Sequence, residues 1–264
     1  MANLPLNVVG KMVDVLDHGW IELVDMMPNP ILGHSGDMAI INAARVSHMG
    51  ETKGEETDKK LLFYLMENGH TSPFEMVEMK FRVKLPLFVR DQWVRHRTWN
   101  FNIQSFRYSK PTMEFYHPSE WRLQDPNNKQ GSNGALDTQE QQAIISKLWC
   151  DGVVDARTYI GGDIDALQGH FEAFGEGFYD VLVKAGVARE LARIFIPTCA
   201  YTTMMAKIDV HNLMGFLKLR THSHAQWEIQ QYAKTIYNEF FKPLLPWTAE
   251  AFEKFVLDER WILI

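Results

Sequence analysis

"VEMKFRVKL", residues 77–85, alternates without a break: Val77, Met79, Phe81, Val83 and Leu85 are apolar, and a charged side chain stands between each pair. Successive side chains of a strand point to opposite faces, so this segment predicts a strand with one dry and one wet face. A strand needs partners. Upstream, "MVDVLDHGWIELV" (12–24) reads as two short alternating runs around Asp17-His18-Gly19, a β-hairpin. Downstream, "TCAYTTMMAKI" (198–208) is rich in Thr, Tyr and apolar groups and reads as a further strand.

Helical patterns surround these strands. Asp37 opens "MAIINAARVSH", and Asp58 reads as the N-cap of "KKLLFYLMENG", with Gly69 as its stop. Ser72-Pro73-Phe74-Glu75 has the form of a helix start, with Ser72 as N-cap and Glu75 closing a capping box. Pro86 opens a helix that runs into Arg95. Asp137 and Glu140 repeat the capping-box spacing ahead of a helix to about Tyr159, and residues 124–137 before it read as an exposed loop. Further helices are expected over Asp165–Lys184, "ARELARIF", "HNLMGFLKLR", "AQWEIQQYAKTIYNEFF" and "TAEAFEKFV". In the fourth of these, Ile229, Tyr232, Ala233, Ile236, Tyr237 and Phe240 share one face. No linker or repeat interrupts the chain. Residues 1–264 read as one α/β domain of the α+β type, a central mixed or antiparallel sheet flanked by helices.

The balance of 46% hydrophobic and 23% charged residues is that of a soluble globular protein. A net charge of −6 argues against general affinity for nucleic acid or an acidic membrane. Lys80–Lys110 departs from that balance, with eight Lys or Arg against the single Asp91. A positive island in a negative protein suits a small anionic ligand. The two cysteines, Cys150 and Cys199, have no metal-type spacing, and a cytoplasmic setting is expected. The opening "MANLPLNVVGKMVDV" has no signal-peptide pattern, and no apolar run is long enough to span a membrane.

Chemistry concentrates in "QWVRHRTWNFNIQSFRY" (92–108). Arg95, Arg97 and Arg107 lie among aromatics and amides there, while Arg193 and Arg220 stand in apolar helical stretches. Leu213, Phe216, Leu217 and Arg220 occupy adjacent steps of one helix face, so that guanidinium must be paired or meet an anion. Arginine forks match phosphate and the hydrogen-bonding edge of a pyrimidine. The same mixture could grip single-stranded nucleic acid, but the acidic remainder opposes this. His222, His224 and Glu228 lack a fourth ligand and read as a polar helix start, so no metal is expected.

At these residues the sequence resembles the flavin-dependent thymidylate synthases. Their signature, Arg-His-Arg followed after seven residues by Ser, matches Arg95-His96-Arg97 and Ser105. The resemblance extends to "NGHTSPFE" (68–75), to Arg107-Tyr108, to "ELARIFIP" (190–197) and to "LRTHSHAQWEIQQYA" (219–233). It implies reductive methylation of dUMP to dTMP, with methylenetetrahydrofolate as carbon donor, FAD as hydride source and NADPH to recharge it. It also implies that His70, Ser72, Arg95, His96, Arg97, Asn102 and His224 hold FAD, with Asp209 and His211 where the family often has Asn-x-Arg. Gln92, Arg95, Gln104, Ser105, Arg107 and Arg193 would hold dUMP. Arg220 would face the uracil and act catalytically. Family members are homotetramers whose active sites draw on several subunits. Departures occur at Ile103, usually Glu, at Phe106, usually Gly, and at Gly215, where a later Asn is common. A related C5-methylase or hydroxymethylase of another pyrimidine nucleotide is the alternative.

Overall fold

The computed structural model describes residues 8–46, 53–111, 113–127, 131–154 and 163–257. Its first elements are β1 (Met12–Val15), β2 (Gly19–Met27), α1 (Gly36–Ala44), α2 (Glu55–Glu67), β3 (Glu78–Pro86), α3 (Leu87–Trp93) and β4 (Asn100–Ile103). There follow β5 (Arg122–Gln124), β6 (Ser132–Ala135), α4 (Thr138–Cys150), α5 (Ile164–Lys184) and α6 (Arg189–Ala192). The chain closes with β7 (Tyr201–Asp209), α7 (Val210–Arg220), α8 (Trp227–Thr235), α9 (Lys242–Leu244) and α10 (Pro246–Phe255). Two compact units emerge: Met1–Leu85 with Val89–Ile103 and Thr203–Ile264, and Pro86–Phe88 with Gln104–Thr202.

A five-stranded sheet in the order β1-β2-β3-β7-β4 organises the first unit. β1 with β2, β2 with β3 and β4 with β7 are antiparallel. The alternation of 77–85 is realised in β3, whose Met79, Phe81, Val83 and Leu85 are fully buried. Its wet face carries ion pairs instead: Arg82 with Glu22 at 2.6 Å, Lys80 with Asp25 at 3.3 Å, and Glu78 with Lys207. The apolar face of α8 and its continuation through Phe240 is wholly buried, as its spacing predicts. The Tyr232 hydroxyl on that face donates to Lys84 O at 2.7 Å, which ties the helix to β3.

Several local signals serve partners remote in sequence. Gly19 begins β2 rather than forming the turn, where Leu16 takes the positive φ of 64°. A Cβ on Gly19 would lie 2.1 Å from the Tyr232 hydroxyl and 2.5 Å from Val15 O, so glycine is required by packing. Ser35, not Asp37, caps α1, accepting from Met38 N at 3.4 Å. Asp37 is buried and accepts from Trp247 N (2.9 Å), Thr248 N (3.1 Å) and the Thr248 hydroxyl (2.6 Å), closing the start of α10. Burial pushes its carboxyl up, against the pull of those bonds. Asp58 is likewise inside α2, paired with buried Arg45, and Gly54 takes the cap position.

The second unit contains the β5–β6 hairpin, which occupies part of the stretch read as a loop; residues 128–130 lie outside the described residues. The capping box of Asp137 and Glu140 forms at 2.8 and 2.9 Å. The helix it starts, α4, stops at Cys150, because Gly152 turns left-handed at φ 68° two residues on. The expected extension to Tyr159 falls in part outside the described residues. Phe106, Phe115, Tyr179, Ala192, Ile196 and Ala200 form a buried cluster here. Among the described residues no helix is long and apolar enough to cross a membrane.

Candidate active site

In the first unit, the Arg-His-Arg segment lies in the bend between α3 and β4, clamped by a tryptophan on each side. Trp93 and Trp99 are buried, meet edge-on at 5.4 Å, and both contact Phe216 of α7, Trp93 by stacking at 4.9 Å. With its ends anchored in the core, the bend leaves Arg95 and Arg97 exposed and His96 half-buried, edge-on to Phe216 at 4.9 Å. Arg95 and Arg97 line an open cleft of about 740 Å³ with Asp91 and Val94. The carboxylate of Asp91 is taken by Arg90 at 2.6 Å. Among the described residues Arg95 and Arg97 have no ion-pair partner, whereas Arg45, Arg82 and Arg90 each have one.

Arg220 closes α7, half-buried, and its Nε donates to His96 Nε2 at 2.8 Å. Burial first, and the charge of Arg220 second, push the His96 imidazole down to about 4. The ring is therefore neutral near pH 7, with Nε2 as acceptor and its proton on Nδ1. Burial also lowers the Arg220 guanidinium from its ordinary value. The apolar helix face thus delivers a paired arginine, as expected, but the partner is neutral. Its positive charge is oriented without being cancelled.

A second, mostly apolar cleft of about 260 Å³ is lined by residues including His70, Thr71, Phe74, His211, Gly215 and Lys218. It brings together His70 and His211, which are distant in sequence. The Asp209 side chain is committed to capping α7, accepting from Asn212 N at 2.9 Å and Asn212 Nδ2 at 2.7 Å. The capping box expected at Ser72 does not form. Ser72–Met76 is a single 3₁₀ turn capped at Thr71 without a side-chain bond, and Ser72 stays exposed. Asn102 is exposed on β4. His224, also exposed, donates its backbone N–H to His222 Nδ1 at 3.1 Å.

Gln92 of α3 donates through Nε2 to Gln226 Oε1, and Gln226 donates in turn to Glu228 Oε2 at 2.9 Å. The helical spacing of this segment carries no sign that Gln226 and Glu228 serve Gln92.

In the second unit, Ser105 Oγ accepts from Arg107 N at 3.3 Å, and Gln104 Nε2 donates to Ser109 Oγ at 3.3 Å. Arg107 pairs with Glu190 at 2.9 Å, both half-exposed, a bond weak enough to exchange for a stronger anion. Arg193 is exposed at the start of a 3₁₀ turn and has no ion-pair partner among the described residues. Cys199 lies 3.7 Å from Glu172 Oε1, and burial, helped by that carboxylate, pushes its thiol up to about 12.

Two guanidiniums without an acid partner among the described residues line one cleft, and a second, mostly apolar cleft carries His70, Phe74 and His211; together they suit an anion that carries rings, as a nucleotide does. Residues 22–247 match the family described as thymidylate synthase complementing protein. The flavin-dependent thymidylate synthase of Thermus thermophilus is 43% identical over 250 residues, covering 95% of this chain and 81% of that one. The enzyme of the same name from Dictyostelium discoideum is 41% identical, covering 93% and 75%. The crystal structure of the UMP/dUMP methylase PolB from Streptomyces cacaoi, bound with 5-Br UMP, superposes with a TM-score of 0.70 at 30% identity, covering 92% and 97%. The chain belongs to the flavin-dependent thymidylate synthase family. As such it is a methyltransferase that depends on FAD.

Proposed function

We propose that the chain, acting as one synthase domain over residues 1–264, converts dUMP to dTMP. Methylenetetrahydrofolate is the carbon donor and NADPH the electron source. The observation that carries this reading is Arg220, a half-buried cation held by a neutral imidazole. C5 of dUMP is a poor nucleophile, and a fixed positive charge beside the ring stabilises the negative charge that develops as C5 attacks.

The residues fit FAD: two arginines without an ion-pair partner among the described residues suit a diphosphate, and the apolar cleft with His70 and His211 suits a ring. Arg95, His96, Arg97, Ser72, Asn102, His70 and His224 would hold it, with His211 as a further contact; Asp209, spent as a cap, would act through its backbone. When bound, FAD supplies the hydride that completes the methyl group. Gln92, Gln104, Ser105, Arg107 and Arg193 would hold dUMP, the arginines meeting its phosphate. Cys199 is unsuited to nucleophilic work, since its thiol stays protonated.

Self-association to a homotetramer is part of the proposal. Phe171, Phe174, Phe178 and Val181 make an exposed apolar stripe along α5, an unusual surface to leave in water. The net charge of −6 speaks against a nucleic-acid partner, and the two cysteines without metal-type spacing suit a cytoplasmic enzyme. Tritium released from C5-labelled dUMP, in the presence of methylenetetrahydrofolate and NADPH, is the expected result. Release from UMP or dCMP but not from dUMP would favour the related-pyrimidine alternative, to which the UMP/dUMP methylase likeness lends weight.

A further inference from the structure

The Gln92, Gln226 and Glu228 side chains form a chain of hydrogen bonds whose direction is set at one end. Glu228 is buried, only 3% exposed, in the first turn of α8. A carboxylate offers acceptors alone, and Gln226 turns its NH₂ toward it. The carbonyl of Gln226 then faces Gln92, which must answer with its own NH₂. That leaves Gln92 Oε1, buried and without a hydrogen-bond partner among the described residues. Gln226 sits at the N-cap of α8 yet makes no capping bond with its side chain, so helix capping does not account for its placement.

We infer that Glu228, acting through Gln226, is a positioning residue that holds the Gln92 amide with its carbonyl presented to a donor group of the bound nucleotide. The inference rests on reading Gln92 as a substrate-binding residue. A free glutamine amide would present donor or acceptor with little preference. The relay fixes the acceptor before the ligand arrives, so no orientational freedom is lost on binding. In dUMP the groups that can donate are the ring N3–H and the 3′-hydroxyl. A ligand with only acceptors at that edge would meet the lone pairs of Oε1 and be rejected.

The test is calorimetric titration of the FAD-loaded protein with dUMP. Glu228→Gln keeps the shape but lets position 228 donate, so the relay can reverse and turn the Gln92 NH₂ toward the ligand. The expected loss of dUMP affinity is on the order of tenfold or more, with FAD content unchanged. In a Gln92→Ala background the same substitution should change affinity less than about twofold, because residues acting as one unit are not additive. A merely structural role would give the same loss in both backgrounds, and that result would overturn the inference. Should Glu228→Gln fail to fold, Gln226→Met breaks the relay at its middle and should show the same dependence on Gln92. The 2′,3′-dideoxy analogue separates the donors: the penalty persists for a ring N–H and shrinks for the hydroxyl. Unchanged affinities in every variant, with dUMP still bound by the wild-type chain, overturn this inference alone. A wild-type chain that takes no dUMP overturns it together with the proposed substrate.

Discussion

Lowering the pH is the sharpest probe of the His96–Arg220 contact. The imidazole is held neutral by burial and by the adjacent guanidinium, its pKa falling from 6.5 to about 4 on folding. Between those values the unfolded chain binds the proton and the folded chain does not, so acid favours unfolding. The contribution is fully present above pH 6.5 and is lost as the pH falls toward 4. At about 1.36 kcal/mol per pH unit the full difference is roughly 3 kcal/mol. Water reaches the half-exposed ring, and screening brings this to ~1–2 kcal/mol. The assay is denaturant unfolding at pH 7.5, 6, 5 and 4.5, comparing wild type with His96→Gln. Gln can still accept from Arg220 Nε but does not titrate. The wild type should lose ~1–2 kcal/mol more than the variant across that range. NMR should meanwhile find the His96 ring neutral at pH 5.5. A ring titrating near 6.5, or equal pH slopes for the two proteins, would refute the assignment of a neutral acceptor.

Arg220→Ala should reduce dTMP formation on the order of 100-fold while flavin absorbance after desalting is retained; near-normal turnover would remove Arg220 from the chemistry. Replacing Cys150 by Ser and Cys199 by Ala should leave tritium release within a few-fold of wild type, since a thiol held up at about 12 is no nucleophile. A folded but inactive double variant would count against this. Asp37→Ala removes three bonds at the start of α10 and should cost about 1–3 kcal/mol in urea unfolding, an effect absent if water replaces the carboxylate.

Periodicity made much of the fold legible. The strict alternation of 77–85 and the helical spacing from Ile229 to Phe240 record burial directly, and both segments are buried as read. Residues that act at a distance were harder to place. Gly19 looked like a turn residue, but its reason is Tyr232; Asp37 looked like a cap, and it is one, for another helix. β4 is not evident from sequence although "WNFNI" alternates, because a strand of four residues is defined by its partner, β7. Among the site groups, the arginines were conspicuous by type and setting. The neutral partner of Arg220 and the bond from Gln92 to Gln226 are not, since each joins side chains more than 100 residues apart that only the fold brings within 3 Å.

Phe106 carries a consequence for how this chain changes over generations. The resemblance implies glycine at this position, and the aromatic ring found there is 7% exposed within the cluster of Phe115, Tyr179 and Ile196. Once neighbours have packed around such a ring, removing it costs roughly 3–5 kcal/mol. That is a large part of the ~5–15 kcal/mol by which a typical domain is stable. A single change to glycine would therefore fall where selection discards it, unless the surrounding residues had first grown to fill the space. A buried ring of this kind is entrenched: its neighbours hold it in place.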